Sequence, residues 1–427
     1  MLYDAPLTPL TILLSTDSFP PVCGGSGWST YELARELRDR GHRVLVLKVV
    51  AGRRGAEQWS EYDGLQVLEL HSYAPGIPGI RNYFKNERLY PRVARRIEAL
   101  IATERIDIVH GQHVLSGPPG VIAAKRTGKP SVVTVRDYWP VCYRSDLLHS
   151  PETLALCPAC SRAAGVHHGR PRIGITGFGQ LLARRYLTAN MAMKRETLAS
   201  ADAVIAVSSV LARDLRDRAS ELERTRVEVI PNPVNIAALR RRTGPRQMAE
   251  PYALYAGKLA VNKGPDLLIE AIDRADLDWP LVVAGDGPDR RRIEAAAARR
   301  GRDVRFVGWV DHLAATTWMA HAAMLVFPSR GPESLSRVLI EASALGVPIA
   351  AMQTGGTADI VEDEVTGLLS SDVTGLADDI RRIRHDEVLR RRLAAAAANR
   401  AVERFDSAGV VDRIEALYRE LLAGRTA

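Results

Sequence analysis

Two glutamates stand eight residues apart in a segment whose pattern suits an anion beside a sugar. Glu333 and Glu341 lie within residues 329–342, which follow an apolar strand and open a helix. A helix N-terminus presents free N–H groups and a positive dipole end, which suits a pyrophosphate. At about 1.5 Å of rise per residue, the two carboxylates are on the order of 12 Å apart if the segment is fully helical. One carboxylate could therefore hold sugar hydroxyls and the other a ribose diol. Alternatively, both are solvated glutamates near a helix start.

A second segment, also directly after a predicted strand, carries two lysines. Lys258 and Lys263 lie beside glycines in residues 257–264. Glycine lets a backbone approach a ligand closely, and cations stabilise the charge that builds on a diphosphate as a glycosidic bond breaks. The segment therefore predicts a diphosphate site, with ordinary surface lysines as the alternative. Its spacing is not that of a Walker phosphate loop.

The four cysteines raise a separate possibility of metal binding. Cys157 and Cys160 have the spacing of metal ligands, Cys142 precedes them, and Cys23 lies in the first glycine-rich loop. Loops that leave the carboxyl ends of parallel strands meet at one edge of a sheet, so all four thiols could converge there. We hypothesise a four-cysteine zinc or iron–sulfur site that rigidifies residues 138–168. The alternative is four unconnected thiols.

The secondary-structure elements that position these residues repeat one pattern along the chain. Short apolar strands alternate with helical patterns, and a turn-rich, Arg-rich stretch near residues 230–250 interrupts them once. Two successive β/α halves predict two doubly wound, Rossmann-like domains whose parallel sheets face each other across a cleft. We expect one domain over residues 1–236 and another over residues 237–404. A C-terminal helix over residues 405–427 is expected to cover the seam between them.

Bulk composition narrows the class of protein. The 427 residues are too many for one core, and 46% apolar with 25% charged residues is typical of a soluble globular protein. The net charge of +8 suits an anionic substrate or surface, but no nucleic-acid-binding motif accompanies it, so a nucleic-acid partner is not expected. No segment suits a signal peptide or a membrane span, so a cytoplasmic location is predicted. The basic amphipathic stretch 178–195 could contact the inner face of an anionic membrane, or pack on its own domain.

These segments in this order resemble glycosyltransferase family 4. The resemblance runs nearly end to end and rests on the following segments: 24–25, 229–235, 257–264, 285–288, 304–308, 333–341 and 354–356. It implies a GT-B fold, retention of configuration at the anomeric carbon, and no divalent metal at the diphosphate. No cofactor is therefore expected for the transfer itself.

By position, the resemblance also implies a role for each donor-side residue. Lys258 and Lys263 would bind the diphosphate, and Glu333 would hold the sugar. The other implied donor-binding residues are Gly25, Gly257, Gly287, Trp309 beside the base, Leu335 and Ser336 through their backbone N–H groups, and Glu341 at the ribose.

The acceptor side departs from the family pattern. Many relatives carry a histidine close to the sugar where this chain has Arg136, followed by Asp137. They often show a second histidine where this chain has Gln112, next to His113. We expect Gln112, His113 and Asp137 on the acceptor side. Arg136 is expected either to take part in catalysis by binding phosphate or an anionic acceptor, or to be a paired structural arginine.

The resemblance implies a retaining transfer from a nucleotide diphosphate sugar, with a UDP-sugar favoured, to a glycan, lipid-linked or small-molecule acceptor. The expected mechanism is same-face displacement, in which the leaving phosphate takes the acceptor proton while Lys258 and Lys263 steady its charge. Two alternatives differ in what they do with the donor. A sugar-nucleotide epimerase would convert it without an acceptor, and a non-catalytic binding subunit would never turn it over.

Overall fold

The computed structural model of the protein describes residues 8–52, 54–77, 80–148, 157 and 178–426. Within these residues the strands form one sheet of eight strands and another of six. The strands pair in parallel, apart from an antiparallel hairpin at one edge of the first sheet. The prediction of two doubly wound, Rossmann-like units is confirmed.

The first sheet is built from the N-terminal half. Its strands are β1 Thr11–Thr16, β2 Arg43–Ala51, β3 Gln58–Tyr62, β4 Leu65–Ser72, β5 Ile108–Gly111, β6 Ser131–Val135, β7 Ala203–Ala206 and β8 Val227–Val229. They lie in the order β3-β4-β2-β1-β5-β6-β7-β8. The chain goes from β1 to one side first and later to the other, so the loops after β1 and β5 diverge. Such a switch point leaves a crevice at the carboxyl ends of the strands.

Helices cover both faces of this sheet. They are α1 Gly25–Asp39, α2 Ile80–Tyr83, a π-helical turn Phe84–Arg88, α3 Leu89–Glu104, α4 Gly117–Thr127, α5 Phe178–Ala199, α6 Ser209–Arg218 and a 3₁₀ turn Ser220–Leu222. The next helix, α7 Ile236–Arg242, packs instead on the helices His312–Ala320 and Arg337–Ala344 of the second half of the chain. The central strands are apolar on both faces, as a doubly covered parallel sheet requires. Ile12, Leu13 and Leu14 of β1, for example, are all fully buried.

The second sheet repeats the design. Its strands are β9 Ala253–Ala256, β10 Leu281–Ala284, β11 Val304–Gly308, β12 Met324–Phe327, β13 Ile349–Met352 and β14 Leu368–Ser370. Their order is β11-β10-β9-β12-β13-β14, so the switch point lies between β9 and β12. Its helical segments are a 3₁₀ turn Val261–Lys263, α8 Pro265–Arg274, α9 Arg290–Arg299, α10 His312–Ala320, α11 Arg337–Ala344, α12 Thr357–Ile360, α13 Val373–His385 and α14 Glu387–Phe405.

The last helix, α15 Ser407–Thr426, returns to the first domain. Its Val411 and Tyr418 pack with apolar residues of β1 and α1. The buried His110 of β5 joins this helix to the sheet, because its Nδ1 lies 2.5 Å from the Tyr418 hydroxyl and its Nε2 lies 2.7 Å from Thr134 Oγ1 of β6.

The basic stretch 178–195 lies on α5. In the part of this helix whose side chains are described, Met191, Lys194 and Leu198 are buried, and the Arg195 Nε donates to the Pro140 carbonyl at 3.1 Å. This part of the helix therefore packs on its own domain. Among the described residues, no helix combines the length and apolar character needed to cross a bilayer.

Candidate active site

The two loops at the switch point of the second sheet bring Lys263 and Glu333 together. Lys263 ends the 3₁₀ turn that follows β9, and Glu333 lies in the loop between β12 and α11. Lys263 Nζ lies 2.6 Å from Glu333 Oε1, and the same oxygen accepts a bond from Ser329 Oγ at 2.5 Å. The lysine side chain is 33% exposed and the glutamate side chain 11%. The pair therefore sits in a recess with its cation facing outward.

Two glycines allow these loops to pack so closely. Gly264 has φ +63°, and a Cβ there would lie 1.9 Å from the Pro328 carbonyl oxygen. Gly355 has φ +50°, and a Cβ there would lie 2.1 Å from the Glu333 carbonyl oxygen. Both positions need the left-handed conformation that glycine adopts without strain. The loop that carries Glu333 is thus closely packed at Pro328 and at Glu333 itself.

Free backbone donors lie next to this pair. Within the described residues, the N–H groups of Leu335 and Ser336 donate to no protein acceptor. They precede α11, so they add to the positive end of its dipole. The Lys258 side chain is exposed after β9 and likewise has no ion-pair partner among the residues described. The loops after β9 and β12 thus carry two lysines and two free amides, which are groups suited to phosphates.

The other residues predicted on the donor side lie in loops of the second sheet and at the start of α1. Trp309 follows β11 and is 70% exposed, which leaves its ring free to border a base. Gly257 begins the loop after β9, and a Cβ on Gly287 would meet the Leu259 carbonyl oxygen at 2.3 Å, so these glycines let two neighbouring loops stack. Gly25 begins α1, and a Cβ there would approach the Cβ of Arg337 to 3.3 Å.

Glu341 lies on α11, and one of its two carboxylate oxygens is in contact with side chains of the protein. Its Oε1 accepts a bond from Arg337 Nε at 2.6 Å and lies 2.8 Å from His312 Nε2. Burial alone would raise the pKa of this carboxyl, but the neighbouring Arg337 and His312 hold the pKa below its ordinary value. Glu341 is therefore ionised. Its Oε2 has no hydrogen-bond partner among the described residues and is not sealed from solvent.

The residues predicted on the acceptor side follow strands β5 and β6 at the crevice of the first sheet. The Gln112 N–H donates to the Ser15 carbonyl at 2.8 Å, which ties the end of β5 to β1. Asp17 Oδ1, Gln112 Nε2 and His113 Nε2 are buried without a hydrogen-bond partner in the described part of the chain. Such atoms are rare and call for a ligand or water. Burial raises the pKa of the neighbouring Asp137, an effect that His113 opposes.

Arg136 is largely engaged by its own domain. Its Nε donates to Asn232 Oδ1 at 2.9 Å, and its Nη1 donates to Gln112 Oε1 at 2.6 Å. Burial lowers the pKa of Arg136 to about 9, and the nearby Arg337 adds to the shift. These contacts are those of a paired structural arginine. Only Nη2 is left without a partner among the described residues, and the backbone carbonyl accepts a bond from Ser334 Oγ across the cleft.

The cysteines do not gather as the metal hypothesis requires. Cys23 lies before α1, where its Sγ is near Gly27, whereas Cys142 belongs to a buried hydrophobic cluster that also contains Trp139. Within the described residues, no group of three or more His, Cys, Asp or Glu side chains could hold a metal ion. Cys23, Cys142 and Cys157 are therefore not a shared ligand set, and Cys160 lies outside the described residues. Burial raises the pKa of Cys23 to about 11, so this thiol is protonated.

Comparison with known proteins identifies the family. Residues 23–238 match the model of Glycosyltransferase Family 4, and residues 250–386 match that of Glycosyl transferases group 1. The chain belongs to glycosyltransferase family 4. It is therefore a glycosyltransferase, and the prediction made from the sequence resemblance is confirmed.

Relatives and solved structures agree with this assignment. The chain is 27% identical over 413 residues to a D-inositol 3-phosphate glycosyltransferase of Nocardioides, covering 88% of this chain and 81% of the relative. A sucrose-phosphate synthase of Thermosynechococcus elongatus has the same fold with a TM-score of 0.70 at 22% identity, covering 98% of this chain and all of the other (100%). HepE of Anabaena, solved in complex with UDP, has a TM-score of 0.66 at 21% identity and covers 96% of this chain and 100% of its own. The predicted GT-B fold is confirmed.

Several residues of this family 4 site escaped the sequence reasoning. Arg337 stands four residues before Glu341, a helical spacing that could have indicated an ion pair. Asp17 directly follows β1, a position at which ligand-binding side chains collect. The ring of Trp28 stacks on that of His312. Neither residue carried a signal in the sequence, because this contact joins residues that are far apart in the chain.

Proposed function

We propose that this family 4 glycosyltransferase transfers a sugar from a nucleotide diphosphate donor, in the first place a UDP-sugar, with retention of configuration. The observation that carries the proposal is the Lys263–Glu333 pair beside the free N–H groups of Leu335 and Ser336. Cations and amides match a diphosphate, and the carboxylate next to them matches sugar hydroxyls. That HepE, which shares the fold, was solved with UDP supports testing this nucleotide first.

The proposed chemistry is a same-face displacement without a covalent enzyme intermediate. The acceptor hydroxyl attacks the anomeric carbon from the face that the diphosphate leaves, and a departing phosphate oxygen takes the hydroxyl proton. Lys258, Lys263 and the two free amides stabilise the charge that develops on the leaving group. Glu333 orients the sugar. Closing the cleft excludes water, which would otherwise compete with the acceptor.

The acceptor is proposed to bind at the crevice of the first sheet. The unpartnered buried atoms of Asp17, Gln112 and His113 offer an acceptor and donors suited to hydroxyl groups. A glycan, a lipid-linked sugar or a small polyol all present such groups. Because one relative is named a D-inositol 3-phosphate glycosyltransferase, inositol and its 3-phosphate are the first pair of acceptors to compare.

The experiment that tests this proposal is a thermal-shift panel with UDP, GDP, ADP and CDP. A ligand that binds only the folded state raises the apparent stability, by about 2.7 kcal/mol at a hundred times its Kd. We expect UDP to give the largest shift, and we expect Lys258→Ala/Lys263→Ala to abolish it. Stabilisation by another nucleotide would correct the donor, and no shift from any nucleotide would contradict the donor site.

The panel is followed by incubation of UDP-sugars with and without candidate acceptors. Retaining transfer predicts a product with the anomeric configuration of the donor, which proton NMR coupling constants report. Conversion of the donor in the absence of any acceptor would instead indicate epimerisation. An inverted product would contradict the proposed displacement.

A further inference from the structure

Helix α1 of the first domain reaches across the cleft to both side chains that hold Glu341. Trp28 stacks on His312, with ring centroids 4.5 Å apart and planes inclined by 25°. The next residue, Ser29, accepts a hydrogen bond from Arg337 Nη1 at 3.3 Å. Trp28 and Ser29 belong to α1, whereas His312 and Arg337 begin α10 and α11 of the second domain.

The three guanidinium nitrogens of Arg337 contact three parts of the chain. Nε donates to Glu341 on its own helix, and Nη1 also donates to the Pro233 carbonyl of the first domain at 3.3 Å. Nη2 lies 3.9 Å from Glu32 Oε1 on α1. The planar guanidinium can make these contacts only in one orientation. Its geometry therefore depends on where α1 lies.

Burial makes these interactions strong. The side chains of Arg337 and Glu341 are only 7% and 5% exposed. A charge pair in such a low-dielectric site is screened little by water or salt. Burial raises the pKa of Glu32, and Arg337 and Arg35 oppose this shift. The buried Glu341 and the partly buried Glu32 thus share one arginine that bridges the domains.

We propose that α1 positions Glu341 through His312 and Arg337, so that the ribose-binding carboxylate is held in its binding orientation only when the two domains are closed. The inference rests on the proposed donor site. His312 and Arg337 anchor Oε1 and leave Oε2 available for the ribose hydroxyls. Trp28, His312 and Arg337 are positioning residues, because they act on the ribose through Glu341.

A purely structural role would give a different result. If Arg337 only stabilised the fold, its loss would weaken every nucleotide by the same factor. If it orients Glu341, its loss weakens only ligands that carry ribose hydroxyls. The ratio of two affinities therefore separates the two roles.

The test is calorimetric titration of the full chain with UDP and with 2′,3′-dideoxy-UDP. Wild-type protein should prefer UDP by about 10- to 100-fold, because hydrogen bonds to a charged carboxylate are lost with the hydroxyls. Arg337→Met should reduce the preference for UDP over 2′,3′-dideoxy-UDP to about threefold or less. Trp28→Leu is a milder variant that keeps the ionic contacts, and it should reduce the preference to the same extent. Arg384→Met is the control, because Arg384 forms an ion pair with Asp278 within the second domain at 2.5 Å. It should retain the wild-type preference.

Each outcome has one meaning. Full preference in both Arg337→Met and Trp28→Leu would overturn the inference, as would a wild-type protein that binds both ligands equally. If Arg337→Met does not fold, Trp28→Leu decides alone. If the wild-type protein binds no nucleotide at all, the proposed donor site itself fails. That outcome is distinct from a site that binds UDP but ignores its ribose.

Discussion

At the scale of single residues, the Lys263–Glu333 pair determines what the donor loops can do. Glu333 keeps a bond from Ser329 when the lysine is removed, so the carboxylate remains oriented. The lysine itself is one-third exposed, so its ion pair contributes little to folding. Its cation is therefore available for a diphosphate, and its loss should affect turnover far more than stability.

We expect Lys263→Ala to lower kcat by about 100- to 1000-fold, as removal of a transition-state donor does, and Glu333→Ala to do the same. Steady-state kinetics with the donor found by the nucleotide panel would measure this. Lys48→Ala is the control, because Lys48 forms a comparable ion pair with Glu69 at 2.8 Å in the other sheet. Near-normal turnover in either site variant would refute the assignment.

The positions of the loops that carry Lys263 and Glu333 could be anticipated from the sequence, whereas the contacts of Arg136 could not. Lys263 and Glu333 lie in loops that follow β9 and β12, and the strand pattern alone places such loops at one edge. Arg136 has the same signal after β6, yet its role depends on Gln112 and Asn232, which come from distant parts of the chain. Sequence spacing carries no information about such partners.

At the scale of elements, the strands that sequence reasoning omitted lack the buried apolar run on which it relied. Most residues of β3 are exposed at the edge of the first sheet, and β8 and β14 have only three residues each. The strand β4 has the exposed Gln66 and the partly exposed Glu69 and His71 between its buried residues. The central strands were recognisable because both of their faces are covered and they therefore form apolar runs. The edge strand β11 was anticipated as well, although none of its residues is buried.

The contact of His110 with α15 should make the free energy of unfolding depend on pH. Burial, with a smaller effect of Arg136, places the pKa of His110 well below its ordinary value, so the folded protein holds this histidine neutral. An unfolded histidine takes up a proton near pH 6.5. Between these two pKa values the unfolded state binds more protons. The free energy of unfolding therefore falls as the pH drops below about 6.5.

We expect His110→Gln to flatten this acid slope by up to about 1.4 kcal/mol per pH unit, which is one proton. Urea unfolding between pH 5 and 7 would measure it, with the exposed His385→Gln as the control. At neutral pH, Tyr418→Phe should cost about 1–3 kcal/mol, because it leaves His110 Nδ1 buried without a partner. An unchanged slope in His110→Gln would show that other groups govern the acid sensitivity.

At the scale of the whole molecule, an exposed contact joins the two domains in addition to the buried contacts of Arg337 and the stacking of Trp28 on His312. Asp359 accepts two bonds from Ser209, one from its N–H and one from its hydroxyl, both at 2.6 Å. Ser209 begins α6 of the first domain, and Asp359 lies on α12 of the second. A carboxylate at an exposed helix N-terminus stabilises by about 0.3–1 kcal/mol. Such a contact biases closure without locking it.

We therefore expect Asp359→Ala to shift the population towards an open form. Small-angle scattering should show a larger radius of gyration for the free variant, and saturating nucleotide should restore the wild-type value. A bias of about 1 kcal/mol towards the closed form corresponds to a factor of about five in the equilibrium constant between the open and closed forms. Nucleotide affinity should therefore fall by no more than that factor. Asp278→Ala is the matched control, because this exposed aspartate pairs with Arg384 inside one domain. If Asp359→Ala scatters as the wild-type protein does, the prediction is wrong, and closure depends on the other contacts between the domains, which include those of Arg337, Trp28 and Ser334.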